Sequence, residues 1–376
     1  MGFGRLFRVT LFGESHGPLV GVVVEGVPPG LKVSLDELDE ELKRRRPGGK
    51  LVSPRRELDQ AEIVSGVYKG YTTGAPVAIV VYNRDVDSSF YERVVRFKPR
   101  PGHADFGARL YSMGFEDYRG GGFHSGRITV GLVAAGYLAR KVLETLGVSV
   151  AGLLRVMGGI ECKYDELPID RDKVYASPVR CPDPQSSKRM EELLEEVTRS
   201  GDSVGGIIEV HGYGVPKGLG EPHSHSLDAD IAHAMFMVPG VKGVEIGLGF
   251  RLAYMRGSEV EDSILVDRGN VNGVGGGGSI WGGYSVSDTI VVRVVVRPTA
   301  TIRKPKKTIN WRTLEEDGIV GAGRHDPVIA VRAVPVIESV LAIVLADHIL
   351  SWLGWRLAHY YNLERGYKEN EGNYTR

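Results

Sequence analysis

Gly126-Arg127-Ile128-Thr129-Val130-Gly131-Leu132-Val133-Ala134-Ala135-Gly136-Tyr137-Leu138-Ala139-Arg140-Lys141-Val142-Leu143-Glu144-Thr145-Leu146 is the stretch on which the fold class turns. It reads as one long helix that is apolar on most of its circumference. A helix lying on a surface carries a polar stripe, so a helix without one is buried on more than one side. Around it, residues 6–12 and 20–27 read as a pair of strands, 76–82 as a third, 204–210 as a fourth and 286–296 as a long β-branched fifth. Helices come singly between these strands: one opened by Ser34, with Glu37 placed for a capping box, then 190–199, 227–237 and the apolar 333–353. There is no βαβαβ cadence, so the class is α+β and not a doubly wound sheet.

No spacer or charge run divides the chain. Residues 1–359 are therefore expected to form a single domain, with 360–376 a polar C-terminal tail. Glu338, Asp347 and His348 interrupt the last apolar stretch, which argues for a core helix and against a membrane span. Acidic and basic residues balance at 47 each, which disfavours a nonspecific nucleic-acid binder. Arg outnumbers Lys by 32 to 15, which fits either planar recognition of anions or a hot habitat. The two cysteines, Cys162 and Cys181, form no C-x-x-C pair. They fit a reducing cytoplasm without a disulfide framework.

Chemistry concentrates in turns. His16 stands in Gly13-Glu14-Ser15-His16-Gly17, His103 in Arg100-Pro101-Gly102-His103-Ala104-Asp105, and Asp326 in Gly323-Arg324-His325-Asp326-Pro327. Turns held by Gly and Pro are where a scaffold displays reactive groups. Ser15 lies at the centre of a G-x-S-x-G pattern, but a hydrolase elbow runs from strand into helix, and this one leads through Pro18 into another strand. Gly120-Gly121-Gly122 opens the long helix and offers backbone amides, without the Lys-Ser/Thr of a P-loop or the spacing of a dinucleotide fingerprint. Arg297-Pro298-Thr299-Ala300-Thr301, followed by Arg303, Lys304, Lys306 and Lys307, is the strongest basic run. His223 and His225 lack a third ligand in sequence reach, so no metal is expected.

Together these segments resemble chorismate synthase. The resemblance runs from about residue 6 to about residue 350. It takes in Phe7-Arg8-Val9-Thr10, the His16 turn, Arg44-Arg45-Arg46-Pro47-Gly48, the His103 turn and Asp117-Tyr118-Arg119-Gly120-Gly121-Gly122. It continues through Gly201-Asp202-Ser203, Gly218-Leu219-Gly220-Glu221-Pro222, Val241-Lys242-Gly243-Val244-Glu245-Ile246-Gly247, the Asp326 segment and Arg332-Ala333-Val334-Pro335.

The resemblance implies helices sandwiched between antiparallel β-sheets, a cytoplasmic homotetramer built from dimers, and a carbon–oxygen lyase. That enzyme turns 5-enolpyruvylshikimate 3-phosphate into chorismate and phosphate by anti-1,4-elimination, with reduced FMN and no net redox change. It implies His16 as the acid at the departing phosphate, His103 as keeper of the flavin's protonation, and Asp326 as the base acting through the flavin N5. Arg45, Arg46, Lys50, Arg55, Arg100, Arg127 and Arg324 are its implied substrate contacts. Phe123, His124, Ser125, Pro239, Gly240, Gly282, Arg297, Pro298, Thr299, Ala300, Thr301 and Arg324 are its implied flavin contacts. Flavin reduction is expected from an outside donor or, as in some family members, from NADPH. Phe123-His124-Ser125 departs from the Arg-Ser-Ser of many relatives, and Arg297-Pro298-Thr299-Ala300-Thr301 from their Lys-Pro-Thr-Ser-Ser. A substrate with two carboxylates and a phosphate carries about four negative charges, so the site is expected to be strongly positive although the chain is neutral.

Overall fold

The computed structural model describes residues 2–46, 59–84, 86–267, 270–276, 278–322 and 326–364. Strands β1 (Gly2–Phe3), β2 (Arg8–Gly13), β3 (Leu19–Glu25), β4 (Ala61–Ser65) and β5 (Val77–Tyr82) form one antiparallel sheet in the order β1-β2-β3-β5-β4. Strands β6 (Ser149–Met157), β7 (Ile160–Glu161), β8 (Gly206–Tyr213), β9 (Val241–Ile246) and β10 (Thr289–Val296) form a second, in the order β9-β10-β8-β6-β7. Helix α1 (Leu35–Arg45) is followed by α2 (Thr129–Glu144) and α3 (Ala330–Glu364). Helix α2 packs on the first sheet and on α3, and α3 packs on the second sheet. The result is an α+β sandwich with helices between antiparallel sheets.

The quoted stretch behaves as its composition requires. Thirteen residues of α2, Thr129 to Ala139 with Val142 and Leu143, are buried. The two central helices approach closely because Gly136 has no side chain: a Cβ there would collide with Ser339 of α3. Helix α3 begins at Ala330 and continues past 353 to Glu364. It is the one described helix long and apolar enough to cross a membrane, and its apolar window is 89% buried inside the protein. Of the tail, residues 365–376 lie outside the described residues.

The polar residues that interrupt α3 fasten the layers. Glu338, fully buried, accepts a hydrogen bond from Gly152 N–H of β6 at 2.8 Å and pairs with Arg140 and Arg171. Asp347 Oδ1 accepts three backbone N–H groups, from Arg5, Leu6 and Phe7, at 2.9, 2.7 and 2.8 Å. His348 pairs with Asp230 at 3.0 Å, and burial lowers its pKa.

Three expectations need correction. Ser34 precedes α1, but its side chain makes no cap bond; the hydroxyl of Tyr137 takes the Ser34 N–H and donates to Glu37. On the same helix Leu35, Leu38 and Leu42 are expected from their spacing to share one face, but Leu38 and Leu42 are buried while Leu35 is exposed. Most consequentially, Cys162 and Cys181 form a disulfide. Sequence spacing hid it, because the chain leaves β7 and returns alongside β6, where Leu154 N–H donates to Arg180 O. That return brings the two sulfurs together inside the core.

Candidate active site

A cavity of about 860 Å³ opens between the first sheet, the start of α2 and the start of α3. Among the described residues, six cationic side chains line it, Arg45, Arg100, Arg127, Lys242, Arg297 and Arg332, and two carboxylates, those of Asp105 and Asp326. A neutral chain has thus gathered positive charge at one concave surface, where low-dielectric walls strengthen the field. Apolar side chains also line it, among them Leu132, Ile329, Val336, Val340 and Ile343.

Local structure explains how each arginine arrives. Arg45 follows Leu38 and Leu42 on the buried face of α1, so helical periodicity delivers it inward. Its Nε donates to Thr129 Oγ1 at 3.0 Å, its Nη2 to Gly126 O at 2.9 Å, and its Nη1 to Asp59 at 3.1 Å. Arg127 enters at the N-terminus of α2 and also pairs with Asp59, whose side chain is fully buried between the two guanidiniums. Arg100 is clamped by Asp105 through two parallel bonds of 2.7 and 2.8 Å. Burial opposes the Asp105 charge, but Arg100 outweighs it and holds the carboxyl below its ordinary value.

The His16 turn joins the cavity through glycine. Ser15 N–H donates to Gly122 O, and Gly120 lies so close under the His16 ring that a Cβ there would meet Cδ2 and Nε2. Gly120 and Gly121 both line the cavity and both have positive φ, 61° and 85°, which a side chain would oppose. Asn83 ties the turn to the arginines. Its amide donates to Glu14 O and Gly17 O, and its carbonyl oxygen accepts from Arg127 Nε at 3.0 Å.

His103 Nε2 lies 2.5 Å from Thr301 Oγ1, and Arg297 binds the carbonyl of Gly102 in the same turn at 2.9 Å. Thr299 Oγ1 donates to Asp326 O. Asp326 takes Arg332 Nη1 on Oδ2 at 2.8 Å, while its Oδ1 is buried without a hydrogen-bond partner among the described residues. A buried oxygen with no donor is a group waiting for a ligand or a proton.

The structure therefore brings together Arg45, Arg100, His103, Phe123, His124, Ser125, Arg127, Pro239, Gly240, Arg297, Pro298, Thr299, Ala300 and Asp326 at one cavity. Thr301 supports it through His103, and His16 through Gly120. Arg46 is not part of the lining; it pairs with Asp39 at 2.7 Å. Gly282 lies elsewhere, in the turn between Ile280–Trp281 and Tyr284–Ser285. Lys50, Arg55 and Arg324 fall outside the described residues. The rest of the basic run points to other partners, Lys304 to Asp202 and Lys306 to Ala300 O.

Sequence reasoning missed Asp59, Asn83, Tyr91, Lys242 and Arg332 as members of this constellation. Lys242 and Arg332 stood in motifs already singled out, and Arg332 is six residues beyond Asp326, in the first turn of α3. Asp59, Asn83 and Tyr91 had no local signal, because their roles exist only across strands and turns.

Comparison with known proteins gives one answer. The family described as chorismate synthase matches residues 7–350. A chorismate synthase of Aeropyrum pernix is 49% identical over 92% of each chain. One of Thermococcus gammatolerans is 46% identical over 94% of this chain and 98% of its own. A crystal structure of a chorismate synthase superposes with a TM-score of 0.72 at 29% identity, covering 96% of this chain and 98% of that one.

Proposed function

The chain belongs to the chorismate synthase family and is a carbon–oxygen lyase acting on a small molecule, and on that premise we propose the elimination it performs and the residues that perform it. The substrate is 5-enolpyruvylshikimate 3-phosphate. A ring C–H bond and the C–O bond to phosphate break; the C–H electron pair becomes a new ring C=C bond, the existing ring C=C shifts by one position toward the carbon that loses phosphate, and phosphate departs with the C–O pair. Electrons balance without net oxidation.

Arg45, Arg100 and Arg127 hold the substrate's anionic groups. Guanidinium forks suit carboxylates and phosphate, and the buried acids beside them fix their planes before substrate arrives. His16 donates a proton to the departing phosphate. Asp326 is the base that assists removal of the ring hydrogen, its Oδ1 lacking a partner among the described residues while Arg332 holds the other oxygen in place.

The residues present fit FMN. The apolar lining of Leu132, Ile329, Val336 and Val340 suits a flat ring system, the Asp326 oxygen lacks a donor among the described residues, and Arg297 with the 298–300 backbone suits a phosphate. Reduced FMN, when bound, supplies transient electron density that the unactivated ring position lacks. His103, held by Thr301, keeps a proton available on that side of the cavity.

We further propose a cytoplasmic homotetramer supplied with reduced flavin by an outside donor. Exposed apolar side chains such as Ile264 and Val266 offer surface for subunit contacts. The disulfide is compatible with this location, since intracellular proteins of hyperthermophiles carry them.

The observation that carries the reading is one cavity lined, among the described residues, by six cations and by a carboxylate, Asp326, whose Oδ1 is buried without a hydrogen-bond partner. The test is anaerobic incubation with reduced FMN and the enolpyruvyl phosphate, scoring phosphate release and chorismate absorbance. Absence of both would overturn it.

A further inference from the structure

His16 is held by a segment that no assigned role includes. Its Nδ1 lies 2.8 Å from Ser88 Oγ. Its ring meets Tyr91 edge to face, with centroids 5.0 Å apart and planes at 78°. Tyr91 opens a π-helical turn, Tyr91–Val95, and is buried at the cavity wall with the Arg100 guanidinium 5.1 Å from its ring centre. Such wide turns are uncommon and cluster at functional sites. Here the turn follows the short run of chain that sets Ser88 on one ring nitrogen and Tyr91 against the ring edge, while Gly120 lies under Nε2.

We propose that Ser88 is the positioning residue of His16, its hydroxyl holding the imidazole in one orientation in both protonation states, with Tyr91 as the wall that prevents the ring from turning. This rests on the assignment of His16 as proton donor.

The chemistry of the partner decides the role. A neutral hydroxyl accepts from Nδ1–H in the imidazolium and again in the neutral ring left when Nε2 gives up its proton, so it serves His16 before and after proton transfer. A carboxylate in its place would favour the charged ring and resist release of the proton. With Nδ1 occupied by Ser88, Nε2 is the nitrogen at the glycine side of the cavity. The charged and titratable groups around the ring are Glu14 on its own turn, Asp117 with its partner Arg119 on the glycine segment, Asp87 beside Ser88, and Tyr91 with Arg100 behind it. None of these replaces the hydroxyl on Nδ1.

The experiment compares Ser88→Ala, Ser88→Thr, Ser88→Asp and His16→Asn in the full chain loaded with reduced FMN, following pre-steady-state turnover across pH. Ser88→Ala is expected to lower kcat about 10- to 100-fold through misplacement of the ring, with substrate KM and FMN Kd little changed and an unaltered melting temperature. Ser88→Thr keeps the hydroxyl and recovers most of the rate. Ser88→Asp moves the alkaline limb of the kcat profile upward by about one pH unit or more. In flavin-free protein, 15N-labelled histidine spectra are expected to show one His16 tautomer in wild type and a mixture in Ser88→Ala. Wild-type kcat and pH profile in Ser88→Ala, or a Ser88→Thr as slow as Ser88→Ala, would overturn the proposal while an inactive His16→Asn left the acid assignment standing. A fully active His16→Asn would remove the acid assignment itself, and the positioning role with it.

Discussion

Arg332 grips Asp326 by one oxygen: Nη1 stands 2.8 Å from Oδ2, and Oδ1 is buried with no partner among the described residues. A carboxylate held this way is aimed and still basic at its other oxygen. Asp326→Asn keeps the shape and removes the base. Its kcat is expected to fall about 10²- to 10⁴-fold, with FMN affinity close to wild type by fluorescence titration. Arg332→Met is expected to lower kcat as well, because the carboxylate loses its aim. Equal loss of flavin binding in both variants would assign the pair a structural role instead.

Gly120 is the second point of control. A methyl group there meets the His16 ring, and the backbone sits at φ 61°. Gly120→Ala is therefore expected to reduce kcat by at least about 10-fold through displacement of the ring, with a smaller change in KM. Unchanged kcat in a correctly folded Gly120→Ala would separate His16 from the cavity chemistry.

Charge at the cavity gives a salt signature. The six lining cations act on a multiply charged substrate, and screening shortens their reach to about 10 Å at 0.1 M salt. Substrate KM is expected to rise steadily between low and moderate ionic strength while kcat changes less. Arg297→Gln is expected to weaken FMN binding about 10-fold or more, the loss of one charge-assisted bond, with near-normal kcat at saturating flavin. A KM indifferent to salt would contradict the positive cavity.

Glu41 sets an acid limit on stability. Burial raises its pKa, but Arg171, Arg140 and Arg44 outweigh burial and bring it to about 2, from an ordinary value of 4.5. Because the folded value is the lower one, the stabilisation is complete above about pH 4.5 and drains away as pH falls toward 2. Its full extent is on the order of 3 kcal/mol. Urea unfolding of wild type is expected to weaken steeply between pH 5 and pH 3, and Glu41→Gln to show a lower plateau with a shallower slope. Parallel slopes in the two proteins would place the acid sensitivity elsewhere.

The Cys162–Cys181 bond closes a short loop against β6. Loops of this length are stabilised by about 3 kcal/mol when cross-linked. Cys162→Ser is expected to melt roughly 5 °C lower, and thiol titration of the unfolded wild-type protein without reductant to find no free thiol. Two free thiols and an unchanged melting point would mean that the bond contributes nothing.

The sandwich was legible because α2 and α3 are apolar on nearly every face, and only burial between layers satisfies such helices. Arg45, Arg100 and Arg127 were named through the resemblance of the segments that hold them, at helix ends and Pro/Gly turns. Two of the groups that aim them stand in no such segment. Asp59 joins Arg45 to Arg127 from a strand's leading edge, and Asn83 joins Arg127 to the His16 turn from a strand's end. Each acts across 14 to 68 residues, and neither stands in a motif. The disulfide escaped for the same reason: its cysteines meet only because β6 and its return run side by side. Glu338, Asp347 and His348 marked the last apolar stretch as a core helix, and its apolar window is 89% buried inside the protein, yet their work of fastening sheet to helix is visible only in three dimensions.

The three N–H groups that end on Asp347 set an order on the making of the protein. Arg5, Leu6 and Phe7 leave the ribosome at the outset, and their acceptor follows 340 residues after Phe7. At bacterial-like synthesis rates that interval is on the order of tens of seconds. Throughout it the segment of residues 5–7 lacks the acceptor that fastens it to α3, and a nascent chain halted before residue 347 would leave those three backbone N–H groups without it.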